Sequence, residues 1–191
     1  MAADRVRLAV LISGRGSNMA ALLYAAKAED CPFDVALVTG NKPRAPGFDL
    51  AEAEGVATER LDGKADDFWD RLSDALEAHA IDAVACAGFM RIIPDTFLAD
   101  WQGRIVNIHP SLLPAYKGTD VHARVIAAGE RTSGASVHHV TAELDGGTVI
   151  EQVAVAVLLD DTPETLAERV LAAEHQLYPR ALTRWLRAIR D

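Results

Sequence analysis

The chain has 191 residues, half of them hydrophobic, with 19 Lys and Arg against 28 Asp and Glu and a formal charge of −9. Domains commonly run to about 100 to 150 residues, so this length supports one substantial core and a single domain over 1–191 is expected. The acidic balance excludes a general binder of nucleic acid or anionic membrane, because phosphate backbones recruit dense Lys and Arg, and any anionic ligand must be held locally.

Met1 to Arg5 lack the charged-then-apolar pattern of a signal peptide, and no apolar stretch approaches the roughly 18 residues that span a bilayer, so a soluble cytoplasmic protein is expected. "VRLAVLIS" (6–13) is a continuous aliphatic run that predicts a buried strand. A glycine-bearing turn and the helix-suited "NMAALLYAAKA" follow. "FDVALVT" (33–39) reads as a second strand, "PGFDLAEAEG" as a helix closed by Gly55, and "VATERL" as a short third strand. In "ADDFWDRLSDALEAHA" (65–80), Phe68, Leu72, Ala75, Leu76 and His79 recur at three- and four-residue steps, which is one helical face. "IDAVACAG" and "GRIVNIH" are two further strands. Cys86 in the first of them reads as a small buried apolar residue, since Cys31 and Cys86 are too few for a disulfide scaffold and lack the paired spacing of a zinc site.

Strands apolar on both faces and alternating with helices predict an α/β fold, a Rossmann-like, mostly parallel sheet with helices on both faces. The last third changes character. Two β-rich runs flank Asp145-Gly146-Gly147, where a glycine pair permits positive φ, and predict a C-terminal antiparallel ribbon. From Thr162 a long C-terminal helix, or two, is expected, with Pro179 breaking or kinking it.

Two features carry chemistry. "SGRGSN" (13–18) lies between the first strand and first helix, where glycines and free N–H groups favour an anion. A dinucleotide fingerprint would want glycine or alanine where Met19 stands and an acid where the second strand ends Thr39-Gly40-Asn41; a triphosphate loop would need Gly-Lys-Ser/Thr. A phosphomonoester cradle and a plain structural turn remain. In "NIHPSLLP" (107–114), Asn107 and His109 are two apart on a strand and share a face. An amide and an imidazole there can donate to an oxygen gaining negative charge, and Asp145 can orient the imidazole or move a proton. No Ser or Cys sits in a nucleophile elbow, which favours direct transfer over a covalent intermediate. The bland alternative is a polar strand end and an ordinary Asp-Gly turn.

"VLISGRGSNMAAL", "AGFMRIIP", "NIHPSLLPAYKG", "SVHHVTAELDGG" and "AAEHQLYP" together resemble the phosphoribosylglycinamide formyltransferase family, over nearly the whole chain and in the family's order. The resemblance implies transfer of a formyl group from 10-formyltetrahydrofolate, a co-substrate, to the amine of glycinamide ribonucleotide in purine biosynthesis, without metal or nicotinamide. It implies catalysis by Asn107, His109 and Asp145. It places Arg15, Gly16, Ser17, Asn18 and Glu174 at the ribonucleotide, and Met90, Arg91, Ile92, Ile93, Asn107 and Thr141, Ala142, Glu143, Leu144, Asp145 at the folate. The half over about 1–100 would then bind phosphate and the half over about 101–191 would hold the catalytic and folate residues. No role attaches to His138 or His139. The loop bearing Lys117, Gly118 and His122 is expected to fold over substrate. Lys64 is the nearest cation where some relatives carry a folate-contacting arginine, and "AYKGTDVH" departs from the "YPGLHTH" form of some bacterial members. Partners are expected to be these small molecules, with no nucleic acid or membrane, and both monomer and homodimer stay open.

Three alternatives are weighed against that. A methionyl-tRNA formyltransferase would need a basic tRNA-binding extension. A formyltetrahydrofolate hydrolase shares the three polar residues but has no ribonucleotide to hold. A silent nucleotide-binding module would have no use for Asn107, His109 and Asp145.

Overall fold

The structure is a computed structural model that describes residues 5–188. Its centre is β1 (Val6–Ile12), in which every residue but Arg7 is buried. Val6, Leu8, Val10 and Ile12 enter one apolar layer while Ala9 and Leu11 enter the other, the two-sided burial that a strand between two helix layers requires. The chain continues through α1 (Ser17–Ala26), β2 (Phe33–Gly40), α2 (Gly47–Ala53), β3 (Ala57–Arg60), α3 (Phe68–Ala78), β4 (Ala83–Cys86), α4 (Asp95–Asp100), β5 (Ile105–His109), α5 (Val121–Ala127), β6 (Thr132–His139), β7 (Val149–Ala156) and α6 (Pro163–Ala188). The sheet order is β3-β2-β1-β4-β5-β6-β7. The first five of these strands are mutually parallel, and β6 and β7 reverse against β5 and against each other. This is the expected α/β architecture.

On α3, Phe68, Leu72, Ala75 and Leu76 are buried, as the spacing predicts, and His79 falls at the C-cap. The short helices α4 and α5 were not anticipated. Cys86 is buried, and burial pushes its thiol up to about 12, consistent with a small apolar packing role. Among the described residues, no helix is long and apolar enough to cross a membrane.

Of the two readings of the last helix, the structure shows the single one. Pro179 neither ends nor splits α6, which runs unbroken from Pro163 to Ala188. A helical proline costs about 3 kcal/mol, but Leu177, Tyr178, Ala181, Leu182, Trp185 and Leu186 around it are buried, and each large apolar side chain returns about 1.5–3 kcal/mol. The Tyr178 hydroxyl also donates to the Cys86 carbonyl at 2.9 Å, tying the helix to the end of β4. The ribbon turn needs a correction. Asp145, at φ 48°, takes the left-handed conformation there; Gly146 and Gly147 do not. Aspartate tolerates that region better than most side chains. Gly147 is needed for space, because a Cβ on it would overlap the His139 carbonyl oxygen.

Candidate active site

The carboxyl ends of the parallel strands share one edge of the sheet, the usual ligand side of an open α/β fold. At the end of β5, Ile108 turns into an apolar layer, so Asn107 and His109 turn the other way. The antiparallel register then sets His138 opposite Asn107 and Ser136 opposite His109, and opposed residues share a face. The Asn107 amide donates to His138 Nε2 at 3.3 Å. His138 Nδ1 lies 2.9 Å from the His139 carbonyl, which only accepts, so that nitrogen carries the proton and Nε2 is left as acceptor. Burial holds the His138 pKa below its ordinary value, which keeps this neutral tautomer; the bond to the His139 carbonyl opposes the shift. Asn107 is therefore oriented with its NH2 group toward the histidine, and its second N–H is left for a ligand.

Asp145 places its carboxylate between both histidines. Oδ2 is 3.5 Å from His109 Nδ1 and Oδ1 is 3.7 Å from His138 Nε2. Oδ2 also accepts the Gly118 N–H at 2.9 Å. His109 Nε2 sits 3.0 Å from the Tyr116 carbonyl and must donate to it. Both ring nitrogens of His109 thus face an oxygen. The chain after β5 is held by Ser136, whose hydroxyl donates to the Ser111 carbonyl at 2.6 Å and accepts from Leu113 N–H at 3.0 Å and Gln152 at 2.8 Å. Farther along, the Lys117 ammonium pairs with Glu143 at 2.7 Å, so the 115–120 loop lies against the ribbon turn.

The glycine turn sits at the end of β1. Gly16 has φ 74°, and a Cβ on it would press on the Met19 side chain and Gly47 Cα at 3.0 and 3.2 Å. α1 starts at Ser17, so the N–H groups of its first turn have no carbonyl four residues back within the helix. Arg15 is exposed beside them. Ser13 clamps this edge by accepting the Met90 N–H at 2.8 Å and donating to Asn41 at 2.5 Å. The Asn18 amide donates to Glu174 Oε2 at 2.7 Å, across α1 and α6, and Asn18 Oδ1 is buried without a partner.

Glu174 is only 6% exposed, and burial pushes its carboxyl above the ordinary carboxylate range, partly countered by Asn18. A folded pKa above the unfolded one means that the folded chain binds the proton more tightly. Stability is then greatest below the unfolded pKa, falls as pH rises through the folded one, and stays reduced above it. Glu174→Gln keeps an acceptor for Asn18 and cannot ionise. It is expected to raise Tm near pH 7 and to give no such gain near pH 4, read from thermal melts at both.

Among the remaining predicted residues, Met90 and Ile92 are exposed, whereas Ile93 is buried among Phe97, Trp101 and Ile105. Arg91 stacks on Phe68 and Trp69, with ring centroids 4.5 and 5.3 Å from its guanidinium carbon. Thr141, Ala142, Glu143 and Leu144 are exposed on the approach to Asp145. The structure thus brings Asn107, His109 and Asp145 together, joins Asn18 to Glu174, and ties the Met90 segment to the glycine turn through Ser13. Sequence reasoning missed His138, Ser136, Ser13 and the Tyr116 carbonyl. The alternation in "SVHH" could have indicated that Ser136 and His138 share a face; the other two depend on loop paths that carry no periodic signal.

The formyl transferase family model matches residues 6–182. The trifunctional purine biosynthetic protein adenosine-3 of Gallus gallus is 42% identical over 183 residues, covering 94% of this chain and 18% of that protein. The chain therefore spans about a fifth of the length of the first curated relatives it matches. Phosphoribosylglycinamide formyltransferase of Escherichia coli K12 is 41% identical over 182 residues, covering 93% of this chain and 86% of that one. The crystal structure of phosphoribosylglycinamide formyltransferase from Brucella melitensis superposes with a TM-score of 0.92 at 43% identity, covering 96% of both chains. With its polar cluster at the end of β5 and a family match over nearly all of its length, the chain belongs to the formyl transferase family.

Proposed function

We propose that the protein transfers the formyl group of 10-formyltetrahydrofolate to the amine of glycinamide ribonucleotide, giving formylglycinamide ribonucleotide and tetrahydrofolate. The observation that carries this reading is the His109–Asp145 pair, 3.5 Å apart, beside an Asn107 amide whose orientation His138 sets. The neutral amine attacks the formyl carbon, a C–N bond forms, and the carbonyl oxygen takes the negative charge. The free Asn107 N–H and His109 Nε2–H donate to that oxygen, which replaces the Tyr116 carbonyl as acceptor. Asp145 holds the imidazole through Nδ1. Directly or through a bridging water, it helps carry the amine proton to the departing folate nitrogen, whereupon the C–N bond to the folate breaks and the carbonyl re-forms.

In this reading the ribonucleotide phosphate sits on the first-turn N–H groups at Gly16, Ser17 and Asn18, with Arg15 beside them. Glu174 contacts the ribonucleotide, and the donor runs between the Met90–Ile93 and Thr141–Asp145 segments. The reading is supported by the similarity to the Escherichia coli and Brucella enzymes. The test is loss of formyl from the donor measured with and without glycinamide ribonucleotide. Consumption only when the amine is present is the expected result; equal consumption in its absence would make the protein a hydrolase.

A further inference from the structure

The strand register lines up one row of polar side chains across the last three strands. His109 of β5 stands opposite Ser136 of β6, and Ser136 stands opposite Gln152 of β7, so the three share a face. His109 and Ser136 are buried, whereas Gln152 is exposed on the outer edge of the sheet, where β7 is the last strand. The row runs from the surface to the imidazole at the centre of the proposed reaction.

The Gln152 amide nitrogen lies 2.8 Å from the Leu113 carbonyl and 2.8 Å from the Ser136 hydroxyl. A carbonyl only accepts, so the NH2 end must face it, and both of its hydrogens are committed. The Ser136 hydroxyl gives its single proton to the Ser111 carbonyl, and the Leu113 N–H and Gln152 fill its two acceptor positions. Both backbone polar groups of Leu113 are therefore held by side chains of β6 and β7. From there the turn closes on itself: the Ala115 N–H donates to the Leu112 carbonyl at 3.1 Å, and the Ser111 hydroxyl donates to the Ala115 carbonyl at 2.6 Å. The next residue, Tyr116, presents the carbonyl that takes the His109 Nε2–H at 3.0 Å. In the reaction that donor leaves the carbonyl for the developing oxyanion, so the turn sets where it waits. A displacement of about 1 Å at such a group can cost about 10²-fold in rate.

We propose that Gln152 is a positioning residue for the transfer: through Ser136 and Leu113 it fixes the 111–116 turn, and through the Tyr116 carbonyl it fixes the place of His109. The inference rests on the formyl-transfer reading above. Gln152 acts from the rim, without touching the reacting atoms. Water reaching the exposed edge can take up the bonds it would leave, which spares the fold, but a mobile water does not hold Leu113 in one place.

Three variants grade the donor. Gln152→Asn keeps the NH2 group one methylene short, Gln152→Met keeps the length and removes both hydrogens, and Gln152→Glu keeps the shape and sets a carboxylate against the Leu113 carbonyl. kcat is expected to fall in that order, from about threefold for the first to roughly ten- to a hundredfold for the last, with KM for both substrates near the parent value. A loosened protein would also lose kcat, so the His109 ring N–H proton is followed by NMR in 15N-labelled protein without substrates, assigned by its loss in His109→Ala. The parent is expected to show a hydrogen-bonded proton slow to exchange with water, and the variants to exchange it faster in the order of their kcat losses. Parental kcat in folded Gln152→Met and Gln152→Glu would overturn the inference. So would a parent ring proton already in fast exchange, or a kcat loss that follows Tm across the series and leaves the ring proton unchanged. Because the ring proton is read without turnover, a chain that shows the graded exchange but transfers no formyl group would sink the proposed reaction and leave the positioning contact standing.

Discussion

His109→Ala is expected to lower kcat by about 10²- to 10³-fold, the usual cost of removing one donor from a developing oxyanion. Asn107→Ala and Asp145→Ala should fall in the same range, the first by deleting the second donor and the second by freeing the imidazole that the carboxylate holds at 3.5 Å. The fold should survive. The three side chains stand at a strand end and a turn, outside the two apolar layers. His109→Ala leaves the Tyr116 carbonyl without its donor, a penalty of about 1–3 kcal/mol at most. Single-turnover rates at saturating donor, read beside thermal melts, separate the two effects. Near-parental turnover in a folded His109→Ala protein would remove the proposed mechanism.

Gly147→Ala should damage stability and chemistry together. Its Cβ would be driven into the His139 carbonyl, and the His139 N–H bond to Thr148 (3.0 Å) leaves the two strands no slack. Overpacking of this kind costs about 1–3 kcal/mol, which lowers Tm by roughly 2–4 °C per kcal/mol in a chain of this size. The ribbon must shift to relieve the overlap and carries Asp145 with it, so kcat should drop as well. Gly146→Ala is the internal control. The atoms a Cβ would meet there belong to the Glu143 side chain, which can swing aside, so Tm should change little. Melts and rates on the two variants, compared directly, check the contrast.

The parts of this molecule legible in the sequence are those that repeat. Two-sided apolar runs announced β1, β4 and β5, and the three- and four-residue spacing on α3 named its buried face. Two elements escaped for want of length: α4 buries only Phe97 and α5 only Val121 and Val125, too few positions to show a period. Pro179 left one helix or two open in the sequence, because local propensity favours a break and only the packing on both sides of it decides for one. At the site, Asn107, His109 and Asp145 were visible as chemistry out of place. Their neighbours were not, because His138 earns its position only through the β5–β6 register and Tyr116 acts through its backbone. The glycine pair drew attention to positive φ, when the residue under backbone strain was the aspartate beside it. Strain at a reacting group is a common feature of functional turns.

The strand order has a consequence for biogenesis. One apolar layer joins Leu8, Val10, Met19 and Leu22 from the start of the chain to Leu166, Val170, Leu177 and Tyr178 of α6. A ribosome making this protein therefore releases β1 and α1 long before the segment that covers them exists. Until α6 emerges, that greasy surface is open to solvent and to other nascent chains, which is the situation in which chaperones are recruited and aggregation competes with folding.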